Sequence, residues 1–441
     1  MRVLNTPETI TIRPEPSAWK HACASGEFVT SELSGIFRAE LGLPVGPIIM
    51  SGHQAEWWHS GILAKYLAAQ SYAKLIGAAA VWVVVDQDTG TPELLNYPGE
   101  RWSVRRYVFG ANGDEFRPLC ERRSMVPEVT DVKALCPSVA KAVGALCTSL
   151  GSHVHEPTLA KQVMGAISEH DFLRSMPMRM VFASQLNETT LFKKLVERMN
   201  QDPTACVGSY NEAVEAVPSS KMRKLRESSD PELPLWSVSK DGIRTAAKVS
   251  SSSGRLMPRA LLMTAMLRMA GCELFIHGLG GGVYDTVTEL WIKSWLGVDL
   301  APMAVVSATR YARPSDAPRV VTREEAIEAL RRVHRAKHHP AELGDHDAEH
   351  HRNDIVKRIA RSGGGERIAL YKTLQTWLRA HRERHDATLT AMESQARELQ
   401  AAARAGGGAC DRTWPFMFLS SSQFEDLKNE IDHAFKRGCA T

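Results

Sequence analysis

Four short apolar runs constrain this chain more than any other feature, because none of them alternates with polar residues. They lie at residues 47–52 (Pro-Ile-Ile-Met-Ser-Gly), 81–86 (Val-Trp-Val-Val-Val-Asp), 273–278 (Glu-Leu-Phe-Ile-His-Gly) and 304–307 (Ala-Val-Val-Ser). A fifth, weaker run spans residues 180–183. A strand with one face in water alternates apolar and polar residues. A strand buried on both faces does not, and parallel sheets bury both faces. Helical spacing separates the runs: Leu63, Tyr66, Leu67 and Leu75 repeat along residues 61–75, and residues 258–269 behave alike. Strand–helix–strand alternation of this kind predicts a doubly wound α/β core built on a parallel sheet.

At 441 residues the chain exceeds what one hydrophobic core ordinarily holds, so additions to that core are expected. Residues 1–94 read as the first part of the core and 176–315 as the second. Residues 95–175 break the rhythm with Pro, Gly and charges, and read as an insertion with small helices of its own. Residues 202–254 are also poorly patterned, and the serine run at 250–254 reads as a loop. Thr322-Arg-Glu-Glu325 is a capping box that opens a helix. Residues 347–361 and 366–404 are helical, joined by Ser362-Gly363-Gly364-Gly365. Ile368, Tyr371, Leu374, Leu378, His381, His385, Leu389, Met392, Ala396 and Leu399 mark a seam along the second stretch. Together, residues 316–405 predict an antiparallel coiled-coil hairpin. The tail, 406–441, is expected to pack back through Trp414 to Leu419.

A net charge of +4 is too small for this length to argue for nucleic acid as a partner. The most apolar stretch, residues 75–85, falls far short of the roughly 20 residues that span a bilayer. Residues 1–14 lack a basic region followed by an apolar run, so a cytoplasmic protein is expected. No pair of the eight cysteines has Cys-x-x-Cys spacing. His334, His338, His339, His346, His350 and His351 are irregularly spaced beside a helical linker and read as solvated, so no metal site is expected.

The residues suited to chemistry stand at strand ends. Ser51-Gly52-His53-Gln54 closes one apolar run, and His59-Ser60-Gly61 opens the helix after it. Such a junction favours an anion such as phosphate, and His53 and His59 offer donors; the alternative is a buried histidine beside turn glycines. Asp86 and Asp88 follow the most apolar run, where open α/β sheets bind ligands. They suit an amino group, a ribose hydroxyl or hydrated Mg²⁺, or else cap the strand end. His277-Gly278-Leu279-Gly280-Gly281-Gly282-Val283-Tyr284-Asp285 joins another run to a helix. It lacks the spacing of a dinucleotide site and the Gly-Lys-Ser/Thr of a P-loop. Arg255 and Arg259 suit phosphate or carboxylate, or a helix start at Pro258.

Residues 48–88, with their Gly-His-Gln turn, glycine-containing helix and acidic strand end, resemble the core of the bacillithiol-biosynthesis cysteine ligases. Tyr210-Asn211, Glu232-Leu233-Pro234-Leu235-Trp236, the Arg255–Arg259 segment, the glycine run and the late helices continue the resemblance. It implies a Rossmann-like core of the nucleotidyltransferase and class I synthetase kind, with a helical insertion and a coiled coil used for homodimerisation. The implied activity is ATP-dependent addition of cysteine to the amine of glucosaminyl-malate. In that frame His53, His59, Asp86 and Asp88 are catalytic, and Gly52, Gln54, Ser60 and Gly61 hold ATP, with Mg²⁺ as a candidate companion. Arg255, Arg259, His277, Gly278, Gly280, Gly281, Tyr284 and Asp285 contact small-molecule substrates. Two other expectations compete: a nucleotidyltransferase acting on another acceptor, and a non-catalytic coiled-coil assembly protein with a degenerate core.

Overall fold

Six strands form the central sheet of the structure, a computed structural model that describes residues 7–110, 116–251 and 255–438. They are β1 (Thr9–Arg13), β2 (Ile48–Gln54), β3 (Ala79–Val85), β4 (Arg179–Phe182), β5 (Leu274–His277) and β6 (Met303–Thr309). Their order across the sheet is β1-β6-β5-β2-β3-β4. All pairs are parallel except β1 with β6. After β1, the chain enters the parallel part at the central β2 and moves outward through β3 to β4. It then crosses to the other side of β2 for β5 and β6. This is a doubly wound sheet whose strand order reverses between β2 and β5. The antiparallel β1 has no apolar run because it is a half-exposed edge strand.

Both faces of the sheet are covered, which is why its strands are apolar throughout. Ile48, Met50, Val81 and Val83 join one core with Phe37, Leu262, Leu267 and Trp291. On the other face the Trp82 ring lies 4.6 Å from Trp58 and 5.3 Å from Tyr66. Tyr66 belongs to α1 (Ser60–Ile76), which packs in turn beneath the helix Ser421–Gly438. That second layer buries α1 almost all round. His59 caps α1 at its start, and Gly77 ends it in the left-handed conformation at φ 67°.

Residues 202–254 hold more structure than their pattern predicts. Glu232–Val238 pairs antiparallel with both Arg244–Lys248 and Arg255–Pro258 to form a three-stranded sheet. Pro234 hides the central strand from a sequence reading. It stands where the register shifts between Glu232 and Trp236, a place where a strand tolerates proline. Of the serine run, Ser252, Ser253 and Gly254 lie outside the described residues.

The chain divides into two compact units, and Pro98–Val104 with Ala317–Cys410 belong to the smaller. Its long helices, among the described residues, are Arg323–Ala336, His346–Arg361, Gly364–Arg384 and Asp386–Ala405. The first packs on the last and the second on the third. The predicted capping box is present, with Thr322 and Glu325 bonded reciprocally. The single long helix expected over residues 366–404 is instead two helices that break at His385 (φ −109°, ψ 19°). Leu374, Leu378, Leu389 and Ala396 of the seam are buried, whereas Ile368 and Tyr371 are exposed. The expected two-helix hairpin is thus a set of four helices paired two by two. Among the described residues no helix is long and apolar enough to cross a membrane.

Gly52 lets β2 and β3 approach. A Cβ there would stand 2.3 Å from the Val83 carbonyl oxygen. Gly52→Ala is expected to cost about 1–3 kcal/mol, read as a lower urea midpoint. An unchanged midpoint would refute the close approach.

Candidate functional site

The strand order reverses between β2 and β5, so the segments leaving their carboxyl ends diverge and open a crevice. A cavity of about 440 Å³ occupies that place. Gly52, His53 and Gln54 of β2, His59, Gly61 and Lys65 of α1, and the segment 277–281 line it, with Tyr284 and Asp285. Residues more than 200 positions apart therefore share one site.

Lys65 is the feature of this crevice that the sequence reading missed. Its ammonium donates to the Gly52 carbonyl at 2.6 Å and lies 5.6 Å from the centre of the Trp82 ring. Burial pushes the amine down to about 8, with Glu56 acting in the opposite sense. A lysine in the first turns of an apolar helix (Ser-Gly-Ile-Leu-Ala-Lys-Tyr-Leu-Ala-Ala) was the available signal.

The two N-terminal histidines are neutral at physiological pH. Burial, then Lys65 and His59, push His53 down to about 2. Burial, Arg412 and Lys65 push His59 down to about 4. The Gly61 N–H donates to His59 Nδ1 at 3.0 Å, which assigns the proton of the neutral ring to Nε2 and makes that atom a donor. Arg412 also lines the crevice. It arrives on the returning tail, where the Phe416 N–H donates to the Trp58 carbonyl at 2.7 Å and Pro415 bridges to His59.

Across the crevice stands a histidine–carboxylate pair. His277 Nε2 lies 2.8 Å from Asp285 Oδ2. Arg268, itself buried, donates to the same oxygen at 2.5 Å. Burial opposes ionisation of Asp285, but His277 and Arg268 outweigh it and hold the carboxyl below its ordinary range. Nε2–H therefore donates to a carboxylate, which leaves Nδ1 as the ring nitrogen not engaged by Asp285. The glycine run is not a loop. Gly278 caps α2 (Leu279–Leu296), and Gly280, Gly281 and Gly282 form its first turn. A Cβ on Gly281 would come within 2.8 Å of His277 Nδ1.

The other expected site residues stand elsewhere or are already engaged. The Ser60 hydroxyl accepts from the Arg310 N–H at 3.1 Å and ties α1 to the end of β6. Asp86 accepts from the Ser184 N–H and hydroxyl at 2.8 and 2.6 Å, joining the ends of β3 and β4. Its burial raises it to about 6 despite those bonds. Asp88 is bonded to Gln54 at 3.0 Å and to Arg244 at 3.2 Å. Arg255 pairs with Glu121 at 2.7 Å. Arg259 pairs with Glu232 at 2.7 Å and stacks on Trp236, whose ring also carries Arg244. Arg259 braces the three-stranded sheet, Arg255 ties its last strand to Glu121, and neither lines the crevice.

No family model and no curated protein matches this chain. Among solved structures it is similar to a tyrosyl-tRNA synthetase complexed with L-tyrosine from Archaeoglobus fulgidus, at 13% identity and a TM-score of 0.25. The match covers 64% of this chain and 60% of that one. The doubly wound order of the sheet stands on its own strand pairing.

Lys65 makes stability depend on pH. An unfolded chain holds this proton up to its ordinary value of 10.5 and the folded one only to about 8. The unfolded state therefore binds more protons between those values, and stability from this group rises with pH across that window. The rise amounts to about 3 kcal/mol. The difference in unfolding free energy between the wild type and Lys65→Met, measured in urea at pH 7.5 and 10, is expected to change by about 2 kcal/mol, the part of the rise that falls in this interval. Parallel pH curves would show that the ammonium is not buried.

Proposed function

We propose that the crevice binds ATP and that the chain is an ATP-using carbon–nitrogen ligase. The observation that carries this reading is the convergence on one switch point of a buried cation, Lys65, with a carboxylate-backed imidazole, His277. The starts of α1 and α2 flank the same space, and helix N-termini attract phosphate. Lys65, His59 Nε2–H and Arg412 supply donors for phosphate oxygens. His277 Nδ1, with Asp285 behind it, suits removal of a proton from an attacking amine.

The chemistry proceeds in two displacements. A carboxylate oxygen of the first substrate attacks phosphorus, releasing pyrophosphate if an adenylate forms or ADP if an acyl phosphate forms. The amine of the second substrate then attacks the activated carbonyl carbon, and AMP or phosphate leaves. Mg²⁺ in this scheme enters with the nucleotide, since Ser184 engages Asp86 and Arg244 engages Asp88. The finer reading, cysteine joined to an amino sugar such as glucosaminyl-malate, comes from the resemblance of residues 48–88 to the bacillithiol-biosynthesis cysteine ligases.

Two assays with each amino acid in turn test the proposal: ATP–pyrophosphate exchange and ADP release. Cysteine is expected to support one of them. His59→Ala is expected to lower turnover by about 10²–10³ and His277→Ala by about 10²–10⁴. Activity with another acid would keep the ligase and replace its substrate. Wild-type turnover in both variants, or no ATP binding by calorimetry, would sink the reading.

Homodimerisation through the smaller unit is part of the same proposal. Ile368 and Tyr371, 60% and 56% exposed, continue the seam of Gly364–Arg384 beyond its buried part. A variant with glutamate at both positions is expected to halve the mass seen by light scattering. An unchanged mass would remove this contact.

A further inference from the structure

Half of the sixteen histidines fall within Ala317–Cys410, and two of them meet one carboxylate. His381 and His385 are four residues apart, at the end of Gly364–Arg384 and just beyond it. Asp345 precedes His346–Arg361. Asp345 Oδ2 stands 3.1 Å from His381 Nε2 and 3.7 Å from His385 Nε2. All three ligand atoms lie within 4.8 Å of one another. Zinc–nitrogen bonds of about 2.0–2.1 Å place tetrahedral ligand atoms about 3.3 Å apart, so small side-chain shifts suffice to hold such an ion.

Hydrogen bonding accounts for this group only in part. His381 is within bonding distance of Oδ2, but 3.7 Å is too long for His385, so a hydrogen-bonded pair leaves one imidazole without its carboxylate partner. A cation between the three atoms uses both. The Asp345 carboxylate is also oriented from behind, since its Oδ1 accepts from the Ala348 N–H at 3.0 Å as the cap of His346–Arg361. His381 is 2% exposed, and the Trp377 ring stands 5.6 Å from it, so one side of the group is dry. Asp345 and His385 are 31% and 29% exposed, which leaves a path for an ion and a water ligand. The break at His385 belongs here too. A helix kinks for an identifiable cause, and neither proline nor glycine stands at this one.

We propose that Asp345, His381 and His385 form a three-ligand site for a zinc-type divalent cation, with water in the fourth position. Two imidazoles and one carboxylate suit a borderline metal of the zinc series better than Mg²⁺ or Ca²⁺, which take oxygen. The ion joins the start of one helix to the break between two others and pins the smaller unit. Its place in the chain is independent of the crevice and of the ligase reading.

The test uses the full chain, stripped with chelator and titrated with Zn²⁺ against a chromophoric competitor, with circular dichroism melts in parallel. The wild type is expected to take up one Zn²⁺ per chain and to melt at higher temperature when loaded. Asp345→Asn keeps the helix cap, because asparagine caps as well as aspartate, but removes the anionic ligand. His385→Gln removes a half-exposed ligand. Each is expected to weaken Zn²⁺ binding more than about tenfold, the loss typical even of a partner outside the ligand shell, with helicity unchanged. Absence of uptake by the wild type at micromolar Zn²⁺ would overturn the proposal, as would wild-type affinity in His385→Gln.

Discussion

A parallel sheet must be covered on both faces, and the rest of the larger unit follows from how this chain meets that demand. After the edge strand β1, the parallel part of the sheet starts at β2 and lays β3 and β4 to one side, then β5 and β6 to the other. Connections of one hand then place helices on opposite faces for the two halves. The reversal between β2 and β5 leaves a crevice that no strand fills. The apolar character of the strands and the position of the candidate site thus have one cause.

Within that crevice, burial sets the electrostatics. The same desolvation that keeps His53 and His59 neutral also weakens the charge on Lys65, yet at about 8 the amine remains mostly an ammonium at neutral pH. The crevice therefore carries the positive charge of Lys65 and Arg412 beside uncharged imidazoles. Across from them, Arg268 stabilises Asp285, and Asp285 orients His277. Asp285 and His53 lie in one cavity yet move oppositely: His277 and Arg268 outweigh burial and hold Asp285 below its ordinary range, whereas burial, helped by Lys65, pushes His53 down.

The smaller unit solves a different problem with the same material. Its helices have apolar stripes too narrow for a core of their own, so they pair, and Leu374, Leu378 and Ile355 close between two of them. The heptad-like spacing along residues 366–404 was legible as a seam. Its interruption at His385 was not, because neither glycine nor proline marks it.

The parallel core, the helix after β2, the capping box at Thr322 and the strand-end positions of His53 and His277 were determined by the sequence itself. Each depends on local periodicity or on a cap within a few residues, and such signals survive without a partner. Which strand ends meet, and hence which side chains share the site, follows from the packed fold alone. Asp86 and Arg259 looked as suitable as His277, but Ser184 and Glu232, far away in the chain, engage them first. Lys65 looked like one charged residue on a helix until the fold set it under the Gly52 carbonyl. Pairing of polar groups across long chain separations is settled by packing, because a buried charge takes whatever partner the fold brings within reach.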